Sequence, residues 1–281
     1  MSESKFFTKG LYLVATPIGN LGDLSQRAVD VLKSADIVAC EDTRVTGKLF
    51  ALSGISTPLT PYHEHNFQKA LPALMKRLKN GELVAQVSDA GTPLVSDPGY
   101  RLVAECVKEG SYVTAVPGAC AFLTALQLSG LPSNRFLFQG FLPPKSGARQ
   151  STLKELQNIP ATLIFYEAPQ RILETLSDML SVLGDRSCAV CRELTKKFEQ
   201  TVRGKLSEIK ELYEIQGVPK GEFVIVLAPP EEQKVQSTDI ETALKEALQK
   251  MSVKDAAAFV AQALNVNKKE VYSLALKLKN G

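Results

Sequence analysis

The chain has 281 residues, of which 44% are hydrophobic and 22% are charged, with a formal net charge of +3. This composition excludes a disordered chain, the length predicts more than one domain, and the weak positive charge permits an anionic partner without requiring one. The N-terminal stretch MSESKFFTKG lacks the apolar core of a signal peptide, and no apolar run has the length of a bilayer span. The five scattered cysteines are typical of a reducing compartment. We therefore expect a cytoplasmic protein with no membrane contact.

Residues 1–133 are predicted to form an N-terminal parallel α/β domain. Its apolar runs LYLVAT, IVAC, LVAQV and YVTAV, with a weaker run between the second and third, alternate with amphipathic stretches. Helical spacing within 66–80 and 100–109 predicts crossover helices that stop at Gly81 and Gly110. This alternation is the pattern of a parallel sheet covered by helices.

Residues 134–232 are predicted to form a second, smaller α/β domain with a mixed sheet. The runs TLIFY, SCAVC and EFVIVL predict strands, with helices near 171–183 and 207–214. At the junction, PPKSGAR combines two prolines with small and basic residues, which predicts neither a helix nor a central strand. Residues 233–281 are then expected to hold the end of a polar linker, APPEEQKVQ, and a helical tail from about Thr238.

The tail carries the pattern of a helix-turn-helix-like module. Ser252 and Asp255 have capping-box spacing before an apolar helical stripe, and 265–267 (Asn-Val-Asn) interrupts the helical pattern. The lysines of this module, within residues 252–281, are Lys254, Lys268, Lys269, Lys277 and Lys279. RNA docking and simple packing of a helical hairpin both remain open for this module.

Three loops rich in glycine or proline follow predicted strands of the first domain. They are a first loop, TPIGNLGD (16–23), a second loop, SDAGTPLVSDPG (88–99), and a third loop, VPGACA (116–121). Because the carboxyl ends of parallel strands meet at one edge of the sheet, we expect the three loops to form one ligand site. None contains the glycine pattern of a dinucleotide-binding or P-loop fold.

Two pairs of residues have spacing that permits metal binding. Cys188 and Cys191 form a C-x-x-C pair without an evident second pair of ligands, so buried strand cysteines are the favoured interpretation. His63 and His65 are the chain's two histidines, and a solvated or RNA-facing loop is favoured for them. No metal site is expected.

The succession TPIGN, EDTR, SDAGTPLVSDPG, VPGACAFLTAL, SGLP, GFLPPK, FYEAPQR and RELTKKFE, over residues 10–230, resembles the tetrapyrrole-methylase family. Within that family it is most similar to the ribosomal RNA branch, since Gly91-Thr92-Pro93 stands where tetrapyrrole-modifying members usually have Gly-Asp-Pro. The resemblance implies two α/β domains, a homodimer and S-adenosylmethionine held in the cleft between the domains. It also implies 2′-O-methylation of a cytidine in the decoding region of 16S rRNA, with 16S rRNA or the small ribosomal subunit as partner.

The resemblance also implies site residues. Those expected to bind the cofactor are Ile18, Gly91, Thr92, Pro93, Val95, Cys120, Ala121, Tyr166 and Leu194. Candidates for a general base are Glu167, Asp42, Glu193 and Lys196, although interdomain salt bridges would explain each of them equally well. Cations expected to contact RNA are Lys145, Arg149, Arg171, Arg192, Lys196 and Lys197, with Lys268 and Lys269 in the tail.

Two other functions compete with RNA methylation. Methylation of a tetrapyrrole or another small acceptor would use the same fold, but the lysine-rich loops and the helical tail argue against it. A non-catalytic rRNA-binding assembly factor would need no cofactor, but the intact glycine and proline loops favour an enzyme.

Overall fold

The structure is a computed structural model that describes residues 7–96, 99–231, 237–264 and 266–280. Several segments discussed above lie outside these ranges: the first six residues, Asp97 and Pro98 of the second loop, 232–236 of the linker, and Asn265 of the predicted break. The chain divides into two compact units, Met1–Pro230 and Glu231–Gly281.

The first unit begins with a five-stranded sheet in which every pairing is parallel. Its strands are β1 (Gly10–Val14), β2 (Ile37–Cys40), β3 (Leu59–Pro61), β4 (Leu83–Gln86) and β5 (Val113–Val116). The spatial order is β3-β2-β4-β1-β5, so β1 lies between β4 and β5. The three predicted loops follow β1, β4 and β5, which are neighbours, and therefore leave the sheet side by side.

Five helices accompany this sheet: α1 (Gln26–Ser34), α2 (Thr43–Ser53), α3 (Phe67–Lys79), α4 (Tyr100–Lys108) and α5 (Ala121–Ser129). The predicted crossover helices correspond to α3 and α4. The predicted elements did not include α1, α2 and α5. Two of these helices have a local start signal, since the Ser25 side chain caps α1 by accepting from the amide of Ala28 and the Asp42 side chain caps α2 by accepting from the amide of Arg44. Among the described residues, no side chain caps α5 at Cys120.

A second five-stranded sheet follows, with strand order β6-β7-β10-β8-β9. Its strands are β6 (Phe136–Phe141), β7 (Thr162–Glu167), β8 (Ser187–Arg192), β9 (Gln200–Lys205) and β10 (Phe223–Leu227). The β6–β7 pair is parallel and the other pairs are antiparallel, which confirms the predicted mixed sheet. Its helices are α6 (Ser146–Leu156), α7 (Ile172–Leu183) and α8 (Leu206–Gln216).

The prediction that the residues after the two prolines form no helix is wrong, because α6 begins at Ser146. The glycine at position 147 lies in the exposed first turn, where its cost relative to alanine is only about 1 kcal/mol. Leu153 and Leu156 bury the inner side of α6 in the core of the second sheet. Tertiary packing therefore outweighs the weak local helix signal.

The two faces of the second sheet have separate hydrophobic clusters. One face packs against α6, α7 and α8, while the other packs against α5, whose Ala125 and Leu126 are buried with residues of β7 and β10. Cys188 belongs to the first cluster and Cys191 to the second. Because their thiols lie on opposite faces of β8, the C-x-x-C pair cannot chelate one metal ion.

The passage from the first sheet to the second lies between the end of α5 and the start of β6, near the predicted boundary at 133/134. Both sheets belong to one compact unit, and the next unit starts at residue 231, near the predicted 233. The division of the chain into domains 1–133, 134–232 and 233–281 stays a prediction.

The described residues of the second unit form three helices around their own core: α9 (Ser237–Leu248), α10 (Val253–Ala263) and α11 (Lys268–Asn280). The Ser252 side chain caps α10 by accepting from the amide of Asp255, as its spacing predicts. Within the described ranges, no helix combines the length and the apolar character required to cross a bilayer.

Candidate active site

A cavity of about 320 Å³ opens at the carboxyl edge of the first sheet. The first sheet contributes lining residues from its three loops: Ile18, Ala90, Gly91, Thr92, Val95, Ser96, Cys120 and Ala121. The second sheet contributes Phe141, Tyr166, Glu167, Ala168, Pro169, Glu222, Phe223 and Val224. The cavity is therefore a cleft between the two sheets, at the place where parallel α/β folds bind ligands.

Hydrogen bonds from main-chain groups and from one side-chain hydroxyl hold the three loops together as one surface. The amide of Thr16 donates to the carbonyl of Gly91 at 2.9 Å, and the amide of Gly91 donates back at 3.1 Å. The Thr92 hydroxyl donates to the carbonyl of Ala119 at 3.0 Å, which ties the second loop to the third. A ligand would therefore meet a floor whose shape is fixed before it binds.

Gly91 shows why this floor needs glycine. Its φ of +85° is unfavourable for other residues, and an added Cβ would lie 3.2 Å from Cγ2 of Ile18. A side chain at position 91 would strain the bridge to Thr16 and crowd the cavity wall.

The facing wall comes from two antiparallel strands of the second sheet. The end of β7 pairs with the start of β10, so that Glu167 lies opposite Phe223. The short 3-10 turn Pro169–Arg171 follows β7 at once, which brings Ala168 and Pro169 into the same wall.

Glu167 is the buried anchor of this wall, with a fully buried side chain. One carboxylate oxygen accepts hydrogen bonds from the amide of Ala168 and Nε of Arg171, both at 2.8 Å. The other accepts from the hydroxyl of Thr175 at 2.6 Å. Both oxygens are therefore engaged, and their bonds fix the turn that carries Ala168 and Pro169.

The other three base candidates are held in ion pairs. Asp42 binds Arg44 and caps α2, and these hydrogen bonds lower the pKa of Asp42 to about 2. Glu193 binds Lys196, and hydrogen bonding to that ammonium lowers the pKa of the Glu193 carboxyl. Burial opposes the charged form of Lys196, but its bonds to Glu193 and Glu222 outweigh burial and raise the Lys196 pKa. The two carboxylates are weak bases and the lysine is a protonated donor.

Seven of the nine residues expected to bind the cofactor line the cavity: Ile18, Gly91, Thr92, Val95, Cys120, Ala121 and Tyr166. Pro93 and Leu194 are not among the described lining residues, and Leu194 packs in the hydrophobic cluster on the α5 side of the second sheet. Cofactor contact by any of the nine stays a prediction.

The cavity has lining residues that the sequence analysis did not single out: Ala90, Ser96, Phe141, Ala168, Pro169, Phe223, Val224 and Glu222. Several stand beside predicted residues in the motifs SDAGTPLVSDPG, GFLPPK and FYEAPQR, so proximity in sequence was an available signal. For Glu222, Phe223 and Val224 it was not, because the pairing of β10 with β7 brings this part of the chain to the cleft.

Glu41 is a further acidic residue at this edge, immediately after β2. Burial and the nearby carboxylates of Asp89 and Asp42 raise the pKa of Glu41, while His63 opposes them. Asp89 is held in place by the amide of Asp42, which donates to it at 3.0 Å. Glu41 is thus a stronger base than an ordinary glutamate.

The structure corrects the role expected for Arg149. Its side chain is 1% exposed, with Nε donating to Asp178 at 2.6 Å and Nη1 donating to the carbonyl of Pro144 at 3.1 Å. Because the guanidinium is enclosed and neutralised, it is not available to an RNA phosphate. Arg149 instead fixes the start of α6 against α7.

The other cations expected to contact RNA differ in exposure. Arg171 is 23% exposed and bound to Glu167, and Arg192 donates to the carbonyl of Lys220 at 2.8 Å. The side chains of Lys145, Lys197, Lys268 and Lys269 are exposed. RNA contact stays a prediction for all of these cations.

Comparison with known proteins assigns the chain to a family. Residues 10–210 match the family described as Tetrapyrrole (Corrin/Porphyrin) Methylases, and residues 234–279 match the RsmI C-terminal HTH domain. The crystal structure of diphthine synthase has a TM-score of 0.60 at 16% identity, over 78% of this chain and 89% of that chain. Uroporphyrin-III C-methyltransferase from Thermus thermophilus, complexed with S-adenyl homocysteine, gives 0.54 at 22% identity, over 77% and 96%. These likenesses show a shared fold.

Relatives of known name match almost the whole length of the chain. Ribosomal RNA small subunit methyltransferase I of Mesorhizobium japonicum is 48% identical over 271 residues, which cover 96% of this chain and 92% of the relative. The protein of the same name from Vibrio cholerae is 46% identical over 99% of both chains. The chain therefore belongs to the tetrapyrrole methylase family, in the group of proteins named ribosomal RNA small subunit methyltransferase I.

Proposed function

We propose that this protein uses S-adenosylmethionine to methylate the ribose 2′-oxygen of a cytidine in the decoding region of 16S rRNA. The observation that carries the proposal is the cavity between the two sheets, in a chain whose relatives named ribosomal RNA small subunit methyltransferase I match both of its compact units. The family alone leaves the acceptor open, whereas the match over the tail favours the ribosomal RNA branch.

The residues of the cavity fit S-adenosylmethionine. A volume of about 320 Å³ lies within the range of small-molecule sites, and Gly91 leaves space beside Ile18 that a side chain would fill. Apolar side chains from the floor and from the facing wall, such as Ile18 and Val224, suit the adenine ring. The residues that would hold it are Ile18, Gly91, Thr92, Val95, Cys120, Ala121 and Tyr166.

S-adenosylmethionine, when bound, would supply a methyl group carried on a positively charged sulfur. The chain contributes orientation: the floor of three hydrogen-bonded loops and the wall anchored by Glu167 hold two reactants in one geometry. Orientation of this kind contributes up to about 7–11 kcal/mol to lowering a barrier.

The ribose hydroxyl must also lose its proton. Glu167 has both oxygens engaged, Asp42 and Glu193 have lowered pKa values, and Lys196 is protonated. Glu41 is not among the described residues that line the cavity, but it follows β2 at the same sheet edge and precedes Asp42, whose amide donates to Asp89 of the second loop. Because the pKa of Glu41 is also raised, we propose it as the proton acceptor. A Glu41→Gln variant should lower kcat by about 10²- to 10⁴-fold and remove the acidic limb of the pH–rate profile. An unchanged profile would show that Glu41 is not the acceptor.

RNA contact is assigned to the exposed cations. Lys145 and Lys197 belong to the second sheet's loops, and Lys268 and Lys269 start α11 in the tail unit. Lysines at such positions serve phosphate contacts, which set affinity and register without reading sequence. We further propose that the protein acts in the cytoplasm as a homodimer, and sedimentation equilibrium at micromolar concentration tests the dimer.

The deciding experiment transfers labelled methyl groups from S-adenosylmethionine to 16S rRNA and to small subunits from a strain lacking the enzyme. Nucleotide mapping should place the label on one cytidine ribose. Labelling of a tetrapyrrole instead would favour the small-acceptor alternative. Absence of cofactor binding by calorimetry would favour a non-catalytic assembly factor.

A further inference from the structure

One lysine of the second sheet packs onto a loop of the first. Lys196 lies in the turn between β8 and β9, and its aliphatic stem covers Gly19 of the first loop. A Cβ added to Gly19 would lie 2.3 Å from Cγ of Lys196 and 2.8 Å from its Cε. Gly19 is therefore a glycine because the lysine stem occupies the place of a side chain, next to the cavity residue Ile18.

The ammonium group of Lys196 is held from two sides. Nζ donates to Glu193 at 2.9 Å and to Glu222, a residue of the cavity wall, at 3.0 Å. The same Glu193 oxygen accepts the amide of Glu222 at 3.2 Å. The side chain thus joins the first loop to the wall at β10 through its stem and its charge together.

The turn that presents Lys196 is itself fixed. Glu193 and Thr195 have φ values of 50° and 64°, which are unusual for these residues, and the amide of Thr195 donates to the Glu199 carboxylate at 2.6 Å. Gly221, at φ +130°, accommodates the Glu193 side chain, because a Cβ there would lie 2.6 Å from Cγ of Glu193. Bulk is thus excluded on both sides of the Lys196–Glu193 pair.

We propose that Lys196 is a positioning residue that clamps the first loop against the second sheet and so fixes the mouth of the cofactor cavity. The inference rests on the proposed function, since it takes the ligand of the cavity to be S-adenosylmethionine. The positioning role of Lys196 differs from that of a proton acceptor or an RNA contact, because the lysine acts through Ile18 and Glu222 and not on a reacting atom.

The test measures S-adenosylmethionine binding to the full chain by calorimetry. Lys196→Ala removes stem and charge and should weaken binding about tenfold, because the cavity loses its preorganised mouth. Lys196→Met keeps the stem and should weaken it about threefold, a smaller loss because packing on Gly19 persists. Lys210→Ala is the matched control, since Lys210 has similar exposure and pairs with Glu214 at 2.7 Å within α8, and its binding should not change.

A second readout separates positioning from catalysis and from folding. In Lys196→Ala, KM for the cofactor should rise while kcat at saturation stays within about twofold, as expected when an interaction contributes equally to ground-state and transition-state binding. Gly19→Ala should weaken binding in the wild type, because the Lys196 stem occupies the position of the added methyl group. The same substitution in the Lys196→Ala background should weaken binding less, because that stem has been removed.

Unchanged binding in a folded Lys196→Ala variant would overturn the proposal, and so would a fall in kcat with KM unchanged. A lowered unfolding midpoint with wild-type affinity would mean that the lysine only stabilises the fold, which also overturns it. If the wild type itself binds no S-adenosylmethionine, the proposed function fails first.

Discussion

The two sheets build their halves of the cavity by different means. The first sheet supplies a floor held mainly by main-chain hydrogen bonds of the Thr16–Gly91 bridge, with the Thr92 hydroxyl bonded to the Ala119 carbonyl. A Cβ added at Gly91 would crowd Ile18, so this floor leaves little room for a larger side chain. The second sheet supplies a wall held by charged side chains, with Glu167 bound to Arg171 and Glu193 bound to Lys196. The floor should therefore be sensitive to volume, and the wall to charge.

The difference follows from topology. In the parallel sheet, β4, β1 and β5 end at the same edge, so their loops meet and bond to one another without charged side chains. In the mixed sheet, β10 runs antiparallel to both β7 and β8, so its start adjoins their ends and the connecting turns differ in length and direction. Side-chain pairs then hold those turns in place.

The largest expected effect is at the buried wall. Glu167→Ala leaves the Arg171 guanidinium and the Thr175 hydroxyl without their carboxylate, and should lower the free energy of unfolding by about 3–5 kcal/mol. Chemical denaturation measures this loss. Glu167→Gln keeps the shape and one acceptor and should lose less. Equal stability of the alanine variant would mean that charge does not hold this wall.

The next effect concerns volume in the floor. Ala121→Trp places an indole ring in the cavity at the start of α5 and should weaken S-adenosylmethionine binding about 100-fold, or about 2.7 kcal/mol. Thr92→Arg should act in the same direction. Leu123→Trp is the matched control, since Leu123 lies on the same helix and is 42% exposed. Wild-type affinity of both cavity variants would exclude this cavity as the cofactor site.

The floor was predictable from the sequence because its signals are local. Gly91, Cys120 and Ala121 stand in loops that directly follow apolar runs, and the parallel sheet needs no further information to bring those loops together. The wall was not predictable in this way. Glu222 reaches the cleft only through strand pairing. Arg149, which lies outside the wall, was missed for a similar reason, because its buried ion pair is made with Asp178 of another helix.

The third prediction concerns stability as a function of pH, and it rests on the charge of Asp178 in α7, beside the second sheet. Burial raises the pKa of Asp178, but hydrogen bonds from Gln150, Arg149 and Ser146 outweigh it and lower that pKa below the ordinary aspartate value. Its stabilising contribution is therefore complete above the unfolded pKa, near 4, and is lost as pH falls through the folded pKa. Asp178→Asn should be less stable than the wild type at neutral pH, with the difference shrinking in acid.

Urea denaturation measures the free energy of unfolding of the wild type and of Asp178→Asn from neutral pH to about pH 3. This range spans the ordinary aspartate pKa near 3.9. Asp185→Asn serves as a comparison, since hydrogen bonds from Ser207 lower the pKa of this aspartate in an exposed position. Its destabilisation should be smaller than that of Asp178→Asn, because a hydrogen bond that faces solvent contributes less. A stability difference that is independent of pH would contradict the role of the Asp178 charge.

The smallest expected effect is that of charge in the tail unit, which should change RNA binding without changing cofactor binding in the cavity. Its charges are segregated: α11 carries Lys268, Lys269, Lys277 and Lys279 against one glutamate, whereas α9 is acidic. Replacing Lys268 and Lys269 with glutamine should leave cofactor binding unchanged and weaken RNA binding a few-fold. The slope of log affinity against log salt should fall by about 0.7 for each phosphate of single-stranded RNA that the variant no longer neutralises. Lys245→Gln in α9 is the control.

If all salt slopes are equal, the lysines of α11 are solvated charges and the tail unit only packs. If cofactor affinity falls together with RNA affinity, the expectation that the tail acts independently of the cavity is wrong. Charge in the tail would then affect cofactor binding by the floor and the wall.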